Sequence, residues 1–67
     1  MKITLNNNPE TFEEISLTVN QLLKVKNFTF KMLIIKINGT LVPKGEYETV
    51  SIKEGDDVNV LHLISGG

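Results

Sequence analysis

The sequence has 67 residues, a formal net charge of −1, 40% hydrophobic and 22% charged residues, and no cysteine. A chain of this length forms one domain with one small core, because it buries only about 60% of the surface that its unfolded form exposes. The lysines are spread along the chain, which excludes a basic nucleic-acid or membrane-surface patch, and the lack of cysteine excludes a disulfide scaffold and a thiolate metal site.

The N-terminal segment predicts a β-hairpin. Apolar and polar residues alternate from Met1 to Asn6, which indicates a half-buried strand. Asn7-Asn8-Pro9 is typical of a turn. We therefore expect Glu10 to Ile15 to return as a second strand, with Phe12 directed towards the core.

A helix is predicted after this hairpin. Thr18 and Gln21 have the spacing of a capping box, in which each side chain binds the backbone N–H of the other residue. Val19, Leu22 and Leu23 follow at helical spacing and form one apolar face. The helix is expected to run from Val19 to Lys26 and to stop at Asn27.

The most apolar stretch, Met32 to Ile37, predicts a strand because it is rich in β-branched residues. The high apolar content of this strand suggests a central position in the sheet, with both faces of the strand at least partly covered. Asn38-Gly39 indicates a tight turn. Leu41-Val42 is then a very short strand, which Pro43 ends, and residues 44–49 are predicted to form one helical turn.

The last predicted strand runs from Asp57 to Ile64, after a turn at Glu54-Gly55-Asp56. Val58 and Val60 share one face of this strand, while Asn59, Leu61 and Leu63 share the other. The element order is β-β-α-β-β-β with a short helical turn before the last strand. This order predicts an α+β protein with the β-grasp fold of ubiquitin, in which one main helix packs on a mixed sheet of about five strands.

The chain is thus expected to form a β-grasp domain over residues 1–64, followed by a flexible tail over residues 65–67. Two terminal glycines can be a disordered end without a role. They can also be a reactive end, because a tail without Cβ atoms threads a narrow channel and adopts any backbone angle. Activation of the Gly67 carboxylate as a mixed anhydride with AMP would make it a good acyl donor.

Nearly all of the sequence resembles the ThiS/MoaD family of prokaryotic sulfur carriers. The resemblance is carried by the hairpin start and by motifs that occur in the same order: Thr18-Val19-x-x-Leu22-Leu23, Ile37-Asn38-Gly39-Thr40-Leu41-Val42-Pro43, Glu54-Gly55-Asp56 and Ile64-Ser65-Gly66-Gly67. The length and the Asn-Gly-x-x-Val-Pro segment are similar to the thiamine branch. Ser65 departs from that branch, where a small apolar residue or glycine is more common, and it also occurs in the molybdopterin branch.

The resemblance implies a sulfur carrier that is not itself an enzyme. An E1-like adenylyltransferase would use ATP and Mg²⁺ to adenylate Gly67, and a sulfur relay fed by a cysteine desulfurase would convert the product to a thiocarboxylate. Thiazole synthase would take that sulfur in thiamine biosynthesis. Gly66 and Ser65 would thread the tail into these partners, and the chain itself would bind no cofactor.

A docking patch for these partners is expected at Leu61, Leu63 and Ile34, because exposed apolar groups on a sheet often mark a partner site. The alternative is that a loop or a curled strand end covers them. The resemblance favours the docking patch, since ubiquitin-like carriers present this sheet face to their activating enzymes.

Two other functions stay open at this point. The chain could be the small subunit of molybdopterin synthase, which uses the same chemistry, or a ubiquitin-like interaction domain with an inert tail. His62 and the acidic turn at Glu54, Asp56 and Asp57 do not predict a metal site. We see no signal peptide and no apolar run of about 18 residues, so we expect a cytoplasmic location without a membrane segment.

Overall fold

The computed structural model describes residues 1–29 and 32–63, which form seven strands, one α-helix (α1, Val19–Val25) and one 3-10 helix (Lys44–Glu46). The strands are β1 (Lys2–Leu5), β2 (Asn8–Thr11), β3 (Ser16–Thr18), β4 (Leu33–Ile37), β5 (Thr40–Val42), β6 (Ser51–Lys53) and β7 (Asp57–His62). A five-stranded sheet has the order β2-β1-β7-β4-β5, and β3 pairs with β6 in a separate two-stranded sheet. The β1–β7 pair is parallel and β4–β7 is antiparallel, so the predicted mixed-sheet β-grasp fold is confirmed.

The first hairpin is present, but the predicted bounds of its second strand, Glu10 to Ile15, are wrong. The turn lies at Asn6 and Asn7, whose φ angles are 50° and 68°, and β2 therefore begins at Asn8 and ends at Thr11. Two consecutive residues with positive φ form the tight turn that joins twisted antiparallel strands. Pro9 fits within β2 because this strand lies at the edge of the sheet, where a residue without an N–H is tolerated.

Local hydrogen bonds fix both ends of α1. The Gln21 N–H donates to Thr18 Oγ1 at 3.2 Å and the Thr18 N–H donates to Gln21 Oε1 at 2.8 Å, so the predicted capping box is confirmed. The helix ends where Asn27 adopts a φ of 58°. The N–H of Asn27 donates to the Lys24 carbonyl and that of Phe28 to the Leu23 carbonyl, the pair of bonds of a Schellman motif.

One apolar core joins α1, the two-stranded sheet and the face of the five-stranded sheet that is turned towards α1. The buried side chains are Ile3, Leu5, Leu17, Val19, Leu22, Leu23, Ile35, Val42, Ile52, Val58 and Val60. Phe12 packs against this cluster, as predicted. We refer to the opposite face of the five-stranded sheet, which is turned away from this core, as the outer face.

The two-stranded sheet was not predicted. Ser16–Thr18 lies directly before the helix and pairs with Ser51–Lys53, with Leu17 opposite Ile52. Each strand has three residues and places one apolar side chain in the core. A single buried residue between polar neighbours shows too little alternation to identify a strand, so pairing across the fold is what defines these two elements.

Asn38 joins the β4–β5 turn to the turn before β7. Its Nδ2 donates to Asp56 Oδ1 at 3.0 Å, and its Oδ1 accepts the Asp57 N–H at 2.9 Å. Asp56 also accepts the Lys53 N–H through Oδ2 at 2.9 Å. The amide group of Asn38 therefore serves as donor and acceptor at once, which a carboxylate cannot do.

We expect Asn38→Asp to lower the free energy of unfolding by about 1–2 kcal/mol, because it removes the donor and places two carboxylates against each other. Chemical denaturation at neutral pH measures the loss. The double variant Asn38→Asp/Asp56→Asn exchanges donor and acceptor and should recover most of it. If the double variant is no more stable than the single one, this side-chain pairing does not hold the two turns together.

Candidate functional site

Gly67, which is predicted to react, and Gly66 and Ser65, which are predicted to thread the tail, lie outside the described residues, as does Ile64. The strand that leads to them is described: β7 occupies the middle of the five-stranded sheet, between β1 and β4. Beyond the end of β7 the Leu63 N–H donates to the Met32 carbonyl oxygen at 3.0 Å. The backbone is thus held by the sheet up to the last described residue, while the flexible tail over residues 65–67 stays a prediction.

The predicted docking residues lie together on the outer face. Leu61 is directly opposite Ile34 across the β4–β7 ladder. Leu61 is 48% exposed and Leu63 is 42% exposed, whereas Val58 and Val60 are buried on the other side of β7. The predicted assignment of faces is confirmed, and in the described part of the chain both leucines remain open to solvent.

Two further apolar residues of this surface, Met32 and Leu41, were not predicted from the sequence. Met32 is 50% exposed and Leu41 is 58% exposed. Met32 continues the alternation of β4 on the side of Ile34 and bonds through its carbonyl group to Leu63. Leu41 lies opposite Lys36 and next to the buried Val42, so alternation along β5 would have placed it on the outer face.

Together these side chains form a surface that we name the outer apolar patch, which consists of Met32, Ile34, Leu41, Leu61 and Leu63. Clusters of large apolar groups on the open face of a sheet are typical of protein–protein interfaces. The patch extends to the end of β7 from which the chain continues towards Gly67. A partner bound there would therefore contact the surface next to the start of the tail.

The acidic turn has a structural explanation. Glu54 Oε1 accepts the Lys2 N–H at 2.8 Å, and the Asp56 carboxylate binds Lys53 and Asn38 as described above. Gly55 has a φ of 84°, which the turn requires and which favours glycine. Within residues 1–29 and 32–63 no group of three or more His, Asp or Glu side chains is arranged to hold a metal ion.

His62 is not one of the residues of the outer apolar patch. His62 lies opposite Leu33 near the end of β7 and is exposed. Alternation along β7 places His62 on the face of Val58 and Val60, opposite to the face that carries Leu61. Among the described helices none is long and apolar enough to cross a membrane.

Comparison with known proteins identifies the family. A model described as the ThiS family matches residues 3–67. The crystal structure of the thiamine biosynthesis protein ThiS from Geobacter metallireducens has a TM-score of 0.90 and 28% identity, with full coverage of both chains. An NMR solution structure of a thiamine biosynthesis protein from the same organism has a TM-score of 0.80 and 28% identity, covering 100% of this chain and 88% of that one.

A curated thiazole synthase from Magnetococcus marinus is also similar. It is 34% identical over 67 residues, which are all of this chain but 20% of that protein. The chain therefore spans a fifth of the length of this relative, and the remaining four fifths have no counterpart in it.

The sheet order and the helix on its inner face define a ubiquitin-like β-grasp domain. Because the family model matches nearly the whole sequence, the chain belongs to the ThiS family. The resemblance to the thiamine branch that the sequence indicated is thereby confirmed.

Proposed function

We propose that this chain is a sulfur carrier of thiamine biosynthesis whose C-terminal glycine is converted to a thiocarboxylate. The observation that carries this proposal is the ThiS-family match over residues 3–67, a range that includes the β-grasp domain and the closing Gly66-Gly67. The proposal places the reactive group at Gly67 and assigns no catalytic residue to the chain.

The chemistry requires two steps, a substitution at the α-phosphorus of ATP by the Gly67 carboxylate and then a substitution at the Gly67 acyl carbon. A carboxylate oxygen first attacks the α-phosphorus of ATP and pyrophosphate leaves, which gives an acyl-adenylate. A persulfide of the sulfur relay then displaces AMP at the acyl carbon, and a second thiol of the relay attacks the resulting acyl disulfide, which releases the thiocarboxylate and leaves a disulfide on the relay. An E1-like adenylyltransferase would hold ATP and Mg²⁺, and a relay fed by a cysteine desulfurase would supply the sulfur.

The tail composition fits the first of these steps. Four residues from Ile64 to Gly67 span at most about 13–14 Å when extended. Neither Gly66 nor Gly67 has a Cβ atom, so the tail fits a narrow channel and no side chain crowds the reacting carbon. The sequence contains no cysteine, so no thiol of the carrier competes for the activated carboxyl group.

The chain would contribute the acyl group and a recognition surface. We propose that the outer apolar patch, which includes the predicted Leu61, Leu63 and Ile34, docks on the partners. Burial of such side chains at an interface stabilises the complex by roughly 25 cal/mol for each Å² of apolar area removed from water. We propose a cytoplasmic location for the complex, because its proposed partners use ATP and the thiazole precursors.

Thiazole synthase is the recipient that we propose for the sulfur. Its support is the thiazole synthase of Magnetococcus marinus, which includes a region similar to this whole chain. A carrier that must pass its sulfur to thiazole synthase needs a surface that binds that enzyme, and the outer apolar patch adjoins the start of the tail.

An intact-mass measurement tests the proposal. The chain is incubated with its E1-like adenylyltransferase, ATP, Mg²⁺ and a sulfur source, and we expect the mass increase of one oxygen-to-sulfur exchange. A partner preparation that is active on its own carrier serves as the positive control. An unchanged mass in the presence of that verified partner would contradict the proposal.

A co-purification experiment tests the pathway separately from the chemistry. The tagged chain should retain thiazole synthase from a cell extract of its own organism. Recovery of the large subunit of molybdopterin synthase in its place would assign the carrier to the other branch of the family and leave the thiocarboxylate chemistry intact.

A further inference from the structure

One cationic side chain lies within the outer apolar patch. Lys36 is exposed on β4, opposite Leu41 on one side and Asn59 on the other. Ile34 lies two residues away on the same strand, and Leu61 lies diagonally across the β4–β7 ladder. Side chains at such positions are about 4.5–8 Å apart at Cβ, so an extended lysine side chain is long enough to reach them.

Lys36 has no partner among the residues that the structure describes. No ion pair or hydrogen bond joins its ammonium group to any residue of 1–29 and 32–63, where the Lys26–Glu10 pair is the ion pair that is formed. Asp57 lies diagonally from Lys36 across the β4–β7 ladder, as Leu61 does on the other side, but no ion pair joins Asp57 to Lys36. Within residues 1–29 and 32–63 the ammonium group of Lys36 is therefore exposed and not held by a counter-charge.

A wholly apolar partner surface would remove the water that solvates the Lys36 ammonium group and would offer no polar group in its place. Burial of an unpaired ammonium group is strongly unfavourable, whereas a paired and hydrogen-bonded charge at an interface fixes orientation and selects the partner. The apolar groups around Lys36 would exclude water from such a pair and strengthen it.

We propose that Lys36 is a specificity-determining residue that pairs with a carboxylate which thiazole synthase presents within an otherwise apolar contact surface. This inference rests on the proposed function, since it takes thiazole synthase as the protein that covers the patch. The similarity of the whole chain to one region of a thiazole synthase is the reason for choosing this partner.

The test compares two substitutions at Lys36 with the same two at Lys53. Isothermal titration calorimetry measures the Kd of the full chain for the thiazole synthase of the same organism at low and at moderate salt. Lys53 is the matched control because it is an exposed strand lysine on β6, in the separate two-stranded sheet. Thermal melting of each variant verifies that it is folded.

We expect Lys36→Met to raise the Kd at least about tenfold at low salt and to remove most of the salt dependence, because the partner's carboxylate loses its counter-charge. Lys36→Glu should weaken binding further, since two carboxylates then meet. Lys53→Met and Lys53→Glu should leave both the Kd and its salt dependence unchanged.

Three results would overturn the inference. Tighter binding by Lys36→Met would show that the partner surface is apolar at this point, and equal effects at Lys36 and Lys53 would show that only net charge matters. Dimers of the free chain that dissociate on Lys36→Glu would assign the patch to a second copy. None of these results contradicts the proposed sulfur-carrier function if the thiocarboxylate mass is observed. Failure of the Lys36 inference is therefore distinguishable from failure of the proposed function.

Discussion

Deletion of Gly67 is expected to reduce thiocarboxylate formation at least about 100-fold, while the domain folds normally. Removal of one residue shortens the tail by about 3.5 Å, and the carboxylate then stops short of the α-phosphate of ATP. A misplacement of about 1 Å already lowers a rate about 100-fold when two groups must be aligned. Intact mass after incubation with the adenylyltransferase, ATP and a sulfur source measures the product.

The control for this deletion is Gly45→Ala. Gly45 is exposed, an added Cβ meets no atom within 4 Å, and its φ lies outside the left-handed region. This glycine should therefore be replaceable without loss of thiocarboxylate formation. If the deletion variant is converted as fast as the unmodified chain, Gly67 is not the reactive residue.

Leu61→Glu is expected to raise the Kd for the activating and receiving partners at least about tenfold. Leu61 is exposed at the centre of the outer apolar patch, opposite Ile34, so its substitution removes little from the core but places a carboxylate in the contact surface. The melting temperature should stay close to that of the unmodified chain, because surface substitutions usually change stability by less than about 0.5 kcal/mol.

Ile15→Glu provides the comparison. Ile15 is 89% exposed and lies between β2 and β3, outside the outer face. Loss of an exposed isoleucine there should leave partner binding unchanged. Equal weakening by Leu61→Glu and Ile15→Glu would show that the outer apolar patch is not the docking surface.

The elements with strong local signals were predictable from the sequence. The capping box at Thr18, the Asn38-Gly39 turn and the alternation of β7 each depend on residues that are close in sequence, and all three are confirmed. Their order sufficed to predict the β-grasp fold, because few arrangements of one helix and these strands bury both apolar faces.

Other features depend on contacts between distant segments. Ser16–Thr18 and Ser51–Lys53 are strands because they pair with each other, and neither has enough residues to show a period. The apolar richness of β4 predicted a central position with both faces at least partly covered, and Ile34 is half-buried. In the structure β4 lies one strand from the sheet edge, and Ile34 and Lys36 are turned towards the open outer face.

The candidate site was predictable only where a strand is long enough to show alternation. Leu61 and Leu63 were recognised because the long strand β7 has clear alternation and two valines that mark the core side. Leu41 was missed because the three residues of β5 show little alternation, and Met32 because both faces of the predicted strand 32–37 were expected to be at least partly covered. The position of Lys36 among the patch residues follows from the register of β4 with β5 and β7. That register could not be predicted from the sequence.

Transfer of labelled sulfur tests the central claim most directly. The chain is loaded with isotopically labelled sulfur by its activating partners, purified, and supplied as the sole sulfur source to the thiazole synthase of the same organism with the other thiazole precursors. The account predicts that the label appears in the thiazole ring and that the chain returns to its carboxylate mass. A thiazole product without label, formed while the labelled chain stays unchanged, would contradict the account.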